Sequence, residues 1–225
     1  MKAMLLAAGL GKRLKPFTDR LPKPLLKAGP VTLIEHHLNR LRIAGFHDVV
    51  INLHYLGHLI EERIGDGLEL GLRIHYSREP KLLDTGGGVK AALELLGNEP
   101  FAVISSDIYI EMDYSTLPIK LPKSSLGHLV MVPNPEHHKE GDFCLQEGSL
   151  LHGAEKMTYS GISVLSPELL RSVELTTFKL RQVFEVAIAA RRLHGEAFHG
   201  YWCDVGTAER YQDLKKRLFS AYSAE

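Results

Sequence analysis

The chain has little cysteine: Cys144 and Cys203 are its two thiols in 225 residues. Two cysteines build neither a disulfide framework nor a cysteine-rich zinc site, which suits a reducing compartment. Surplus charge is missing too, with Lys and Arg numbering 27 and Asp and Glu numbering 27. That balance speaks against a nucleic-acid partner, which needs a basic face. No apolar run reaches the roughly 18 residues of a membrane span, so no membrane partner is expected. The apolar start at residues 3–10 runs straight into Lys12 and Arg13. That reads as a buried first strand entering a glycine loop, not a secretory leader, and a cytoplasmic protein is expected. What remains is ordinary globular usage, 44% apolar and 24% charged, long enough to bury a full core.

Strand and helix patterns alternate through the first half. Residues 2–8 form a continuous apolar run. Residues 32–44 read as a helix, because Thr32 with Glu35 makes a capping box and Leu33, Ile34, Leu38 and Leu41 share a face. Strands are predicted at 49–53, 72–76 and 101–105. Helices are predicted at 56–64 and from Val89 to Leu96, the latter entered through a loop of Gly86, Gly87 and Gly88. This order predicts an α/β, Rossmann-like single domain, with a mostly parallel twisted sheet and helices on both faces. The second half is less regular. Strands are expected at 128–132, 161–165 and 197–203, with helices at 181–193 and 207–222. We divide the chain into a regular first half, 1–110, and a second half with a C-terminal helix, 111–225.

Two basic features lie near the N-terminus. The first strand ends at Ala8-Gly9-Leu10-Gly11-Lys12-Arg13, where glycines let backbone N–H groups approach a phosphate. Leu14 rules out a dinucleotide fingerprint, and Arg13 after Gly11-Lys12 rules out a P-loop. Arg13 offers a planar fork to phosphate oxygens. Lys23 stands between Pro22 and Pro24, so it projects from a stiff segment as a second phosphate clamp.

Residues 9–18 followed by Pro22-Lys23-Pro24-Leu25 resemble the signature of sugar-1-phosphate nucleotidyltransferases. Those enzymes join a nucleoside triphosphate to a sugar 1-phosphate and release pyrophosphate. The resemblance implies catalytic roles for Arg13, Lys23 and Asp107, and nucleotide contacts from Ala8, Gly9, Gly11, Lys12, Arg13, Lys23, Thr85, Gly86 and Ser105. Thr85-Gly86-Gly87-Gly88 looks like the base-recognition loop. Asp107, and Asp204 within Trp202-Cys203-Asp204-Val205-Gly206-Thr207, look like the family's two Mg²⁺ ligands. Both follow predicted strands, and ligands bind at the carboxyl ends of strands in such sheets.

Further stretches resemble the uridylyltransferase subgroup that takes N-acetylmuramate 1-phosphate in cell-wall recycling. They include residues 134–138, Gly141-Asp142-Phe143, 160–165 and Phe178-Lys179-Leu180. The implied partners are UTP, the sugar 1-phosphate and pyrophosphate. The implied sugar-phosphate contacts are Lys179, Asp142, Glu79, Ser160 and Gly161. Glucose or mannose 1-phosphate, and dTTP or GTP, stay open as substrates. The chain departs from the subgroup at Ser105-Ser106, where Asn-Gly is usual; that leaves open a nucleotide-sugar-binding regulator without turnover. Histidine pairs at 36–37 and 137–138 invite a metal reading, but no H-E-x-x-H pattern accompanies them.

Overall fold

The computed structural model describes residues 1–222. The first half runs β1 (Ala3–Leu6), a short ribbon of β2 (Lys27–Ala28) and β3 (Val31–Thr32), α1 (Leu33–Ile43), β4 (Asp48–Leu53), α2 (Gly57–Ile64), β5 (Arg73–Arg78), α3 (Asp84–Ala91), α4 (Leu93–Leu96), β6 (Phe101–Ser105) and β7 (Ile108–Ile110). The second half runs β8 (Gly127–Val132), β9 (Phe143–Gln146), β10 (Ser149–Leu151), β11 (Lys156–Leu165), α5 (Glu168–Arg171), α6 (Leu180–Ala189), β12 (Leu193–Ala197), β13 (Trp202–Asp204) and α7 (Ala208–Tyr222).

One nine-stranded sheet draws on both halves, in the order β5-β4-β1-β6-β11-β8-β12-β10-β9. The first four strands are parallel, as the alternating helices require. The second half departs from that rule. β11 lies antiparallel between β6 and β8, and of the later strands only β12 runs parallel to its neighbour β8. The β9–β10 hairpin and the reversed β11 break the parallel order, so the sheet as a whole is mixed.

Alternating side chains on each strand feed two cores. Ala3, Leu5, Ala102 and Ile104 pack with Ile34, Leu38 and Leu41 of α1 and Ile60 of α2. Met4, Phe101 and Val103 pack on the opposite face with Val89 of α3 and Val183 and Phe184 of α6. A smaller third core seats Tyr211, Leu214 and Leu218 of α7 against Leu14, Leu26 and Val205. The C-terminal helix therefore braces the N-terminal basic segment.

α1 starts as expected: Thr32 Oγ1 accepts from Glu35 N, and Thr32 N donates to Glu35 Oε2 at 2.8 Å. Other boundaries differ. Gly86, Gly87 and Gly88 lie inside α3 rather than in a loop before it. α6 ends at Ala189, where Arg191 takes a left-handed φ of 56°, and the chain re-enters the sheet as β12. The expected strand at 197–203 is the end of β12 and the start of β13, separated by irregular backbone.

Candidate active site

Two connected chambers open at the carboxyl ends of β1, β4 and β6. The smaller, about 250 Å³, is lined by Ala7, Ala8, Gly9, Lys23, Pro24 and Asn52. The larger, about 660 Å³, is lined by Arg13, Asp142, Tyr159, Lys179, Trp202 and Asp204 among others. They share Leu6, Asp84, Thr85, Ser105 and Asp107. The two chambers therefore share a wall that includes Asp107.

The basic segment is built by local geometry. Gly11 takes a left-handed φ of 62°, and Thr18 Oγ1 donates to its carbonyl at 2.8 Å, folding residues 12–18 back on the loop. Arg13 is exposed at the mouth of the larger chamber and has no hydrogen bond or ion pair among the described residues. Lys12 is exposed, and neither it nor Gly11 lines a chamber. Lys23 sits on a single 3₁₀ turn whose Pro24 and Leu25 are buried. Only 11% of its side chain is exposed, and its Nζ donates to Asp107 Oδ2 at 2.7 Å.

Asp107 and Asp204 are brought together by a two-stranded ribbon. β13 pairs antiparallel with β7, Asp204 opposite Ile108, and Val205 N donates to Asp107 O at 2.8 Å. Arg210 Nη2 donates to Asp204 Oδ2 at 3.0 Å, and its Nε donates to the Asp204 carbonyl. Gly206 makes that clasp possible, since a Cβ there would lie 2.1 Å from Arg210 Nη2. Asp204 Oδ1 is closed off from solvent without a hydrogen bond, and His137 Nε2 stands 2.9 Å away as its ion-pair partner. Among the described residues, no cluster of three or more His, Cys, Asp or Glu is arranged to hold a metal. Two carboxylates on one cleft, which meet Lys23, Arg210 and His137, supply the oxygen donors that suit a hard ion taking its other ligands from phosphates and water. Beside them, burial and the nearby Asp204 raise the Cys203 thiol to about 11, so it stays protonated.

The start of α3 docks onto the segment that leads into α6. Gly86 N and Gly87 N both donate to Phe178 O, and Leu180 N donates to Thr85 Oγ1 at 2.9 Å. A Cβ at Gly86 would meet the Phe178 ring at 2.4 Å, and one at Gly87 would meet Thr176 O at 2.2 Å. This close approach explains two of the three glycines within the helix, and a Cβ at Gly88 would instead lie 2.7 Å from Glu79 Oε1; the propensity cost is about 1 kcal/mol each. Gly86 thus serves packing, and its N–H is already engaged.

Asp142 accepts from Tyr159 N at 2.9 Å and pairs with Arg181 Nη1 at 2.6 Å. Ser160 is buried; its carbonyl accepts from Trp202 Nε1 at 2.9 Å. Gly161 has φ of 90°, at an irregularity in the β11–β8 register, and packs on the Ser105 hydroxyl. Lys179 is exposed on the larger chamber. Glu79 is placed apart from these. It is 4% exposed, accepts from Asn52 Nδ2 and Leu83 N, and supports the loop from beneath. Ser106, where a glycine was usual, directs its hydroxyl to Leu6 O at 2.6 Å.

Sequence reasoning missed Arg210, His137, Arg181 and Asp84 as cleft residues. Arg210 had a local signal, lying on the helix just after Asp204 and Gly206. His137 lies in the resembling stretch 134–138 and in a histidine pair, Asp84 directly precedes Thr85-Gly86, and Arg181 had no signal.

The model of the nucleotidyl transferase family matches residues 2–143. The chain is a sugar-1-phosphate nucleotidyltransferase. An N-acetylmuramate alpha-1-phosphate uridylyltransferase from Neisseria meningitidis serogroup B is 40% identical, over 96% of this chain and 97% of that protein. One from Caulobacter vibrioides is 32% identical, over 97% of each. A UDP-glucose pyrophosphorylase solved with UDP-glucose superposes with a TM-score of 0.79 at 19% identity, over 98% of each chain. That last likeness concerns the fold, and it shows that this nucleotidyltransferase keeps the common α/β frame. Among the described residues, no helix is long and apolar enough to cross a membrane.

Proposed function

We propose that this nucleotidyltransferase moves a uridylyl group from UTP to N-acetylmuramate 1-phosphate with Mg²⁺, releasing pyrophosphate. The observation that carries the reading is the junction of two chambers on Asp107, Ser105 and Thr85. The 40% identity to the Neisseria uridylyltransferase supports the choice of substrates. We read residues 1–225 as a single cytoplasmic domain, with 1–110 serving the nucleotide and 111–225 the sugar phosphate.

In this reading the smaller chamber takes the nucleotide, with Ala8 and Gly9 backbone against its phosphates and Thr85 and Ser105 beside base and ribose. The larger chamber takes the sugar phosphate, with Lys179 against its phosphate and Asp142, Ser160 and Gly161 along the sugar. Asp107 and Asp204 would hold Mg²⁺, which supplies charge neutralisation on the phosphates. The acceptor phosphate has a second pKa near 6, so it is ionised at pH 7 and needs no general base. The protein's task is to bring two anions into line. Arg13, free of partners among the described residues, is available to the charge that develops on the pyrophosphate. Lys23 holds the triphosphate after leaving Asp107.

Pyrophosphate release, measured with UTP, dTTP, GTP, CTP and ATP against N-acetylmuramate, N-acetylglucosamine, glucose and mannose 1-phosphates, tests this. Turnover with UTP and N-acetylmuramate 1-phosphate, lost on adding a chelator, is expected. Turnover with another pair keeps the chemistry and replaces the substrate. Nucleotide binding without any turnover overturns the reading in favour of a regulator.

A further inference from the structure

The two histidines of α1 that invited a metal reading bind no carboxylate. They address the ribbon that carries Asp107 and Asp204. Alternate residues of β7 point their backbone groups in opposite directions. Toward β13, Val205 N donates to Asp107 O, and Glu111 N donates to Tyr201 O. The other edge presents the carbonyls of Ile108, Ile110 and Met112 to α1, and no strand covers it. Each of the three carbonyls meets instead a side chain of α1. His37 Nε2 donates to Ile108 O at 2.9 Å and Arg40 Nη1 donates to Met112 O at 2.8 Å; His36 Nε2 lies 2.9 Å from Ile110 O and 3.1 Å from Arg40 Nε, and it donates to the carbonyl in the tautomer that carries its proton on Nε2.

The tautomer of His37 follows from its neighbours. A carbonyl can only accept, so Nε2 carries the proton, and Nδ1 of the neutral ring accepts from the Tyr114 hydroxyl at 2.7 Å. Burial keeps both rings neutral. His36 also stacks on Tyr109, with ring centroids 4.2 Å apart. His37 is fully buried and His36 nearly so, so neither ring has room to move.

We infer that His37, with His36 and Arg40, is a positioning residue that fixes the β7–β13 ribbon and thereby sets the two carboxylates for their metal ion. The side chains of α1 stand in for a missing edge strand. A helix is a rigid rail, so the carbonyl next to Asp107 is fixed to the same core that holds β1 and β4. Loss of the His37 donor leaves the Ile108 carbonyl buried and unmatched, one residue from Asp107. This inference rests on Asp107 and Asp204 being the metal carboxylates.

Mn²⁺ binding to the purified, ligand-free chain and to the chain with UTP, read by titration calorimetry or electron paramagnetic resonance, tests both levels separately. If the carboxylate reading holds, Asp107→Asn and Asp204→Asn each weaken Mn²⁺ binding; if neither does, that reading fails, whatever the histidine variants do. Given that result, His37→Leu is expected to weaken Mn²⁺ binding about tenfold, the scale on which residues behind metal ligands act. His37→Gln, whose amide N–H can reach the same carbonyl, is expected to restore it. Leu41→Ala, a core deletion on the same helix, lowers the melting temperature and leaves Mn²⁺ affinity unchanged. Mn²⁺ affinity that tracks melting temperature across all three variants overturns the inference, as does an unaltered His37→Leu. If His37→Leu does not fold, His36→Leu and Arg40→Met are read in the same way.

Discussion

Lys23 and Asp107 form an ion pair across the junction of the two chambers, Nζ to Oδ2 at 2.7 Å, with the carboxylate 47% exposed and the ammonium nearly covered. The pair joins the N-terminal basic segment to the end of β6 over a long stretch of sequence. It also sets the starting point of the reaction cycle we propose: the carboxylate must exchange its lysine partner for a metal ion. Lys23 then meets the phosphates without travelling far, because the prolines on either side hold its backbone.

Removing either carboxylate should therefore act on turnover before it acts on folding. Asp107→Ala or Asp204→Ala is expected to lower kcat/KM by at least about 10²-fold, about 2.7 kcal/mol. Initial rates across a Mg²⁺ series check this. Near-normal turnover at limiting Mg²⁺ would remove these residues from the metal site.

Arg13 has no partner to lose among the described residues, so Arg13→Ala is expected to leave the melting temperature unchanged. Its charge is needed most where the leaving group gains charge, so kcat should fall more than KM rises. Steady-state kinetics with UTP varied separates the two. A change confined to KM would make Arg13 a binding residue only.

Gly86→Ala places a methyl group 2.4 Å from two Phe178 ring carbons and 2.9 Å from the Phe178 carbonyl. Overpacking of this kind costs about 1–3 kcal/mol. A lower urea midpoint is expected, together with a raised KM for both substrates, because the loop and the start of α6 shift together. An unchanged midpoint would show that Phe178 moves aside freely.

The buried histidines predict a pH dependence of stability. Burial lowers His36 to about 4 and His37 to about 3, against about 6.5 in the unfolded chain. Between those values the unfolded chain binds more protons, so stability is full above about pH 6.5 and falls as the pH drops toward 4. Urea midpoints at pH 7.5, 6 and 5 should decline in the wild type. They should decline less in the double variant His36→Gln, His37→Gln. Equal slopes would refute the assignment. Glu35 and Asp48, held below the carboxylate range by their hydrogen-bond partners, add their loss only at lower pH.

Local signals were legible in the sequence and tertiary ones were not. The Thr32–Glu35 box set the start of α1, because both partners lie within one turn. The apolar runs of β1, β4 and β6 told of burial on two faces. Gly86 to Gly88 read as a loop, since nothing nearby says that Phe178 and Thr176 press against them from almost a hundred residues away. Glu79 looked like a ligand contact because a lone acidic residue near a loop carries no sign of the Asn52 amide that engages it. β7 is too short to show a period, and its partner β13 arrives from the far end of the chain. Arg181 and His137 act on Asp142 and Asp204 through contacts that neither spacing nor composition encodes.

The joint between Phe178 and Gly86 has an evolutionary consequence. One carbonyl accepts from two N–H groups of α3, next to the Thr85 that we propose lies beside the donor's base, while the next residue, Lys179, lines the chamber that we propose takes the acceptor. In the proposed assignment, choice of nucleotide and choice of sugar are thus inherited as one mechanical part. A segment around 176–182 grafted from an enzyme with another acceptor would bring a changed seat for Gly86 with it. Donor preference would drift even though no residue of the base loop had been altered.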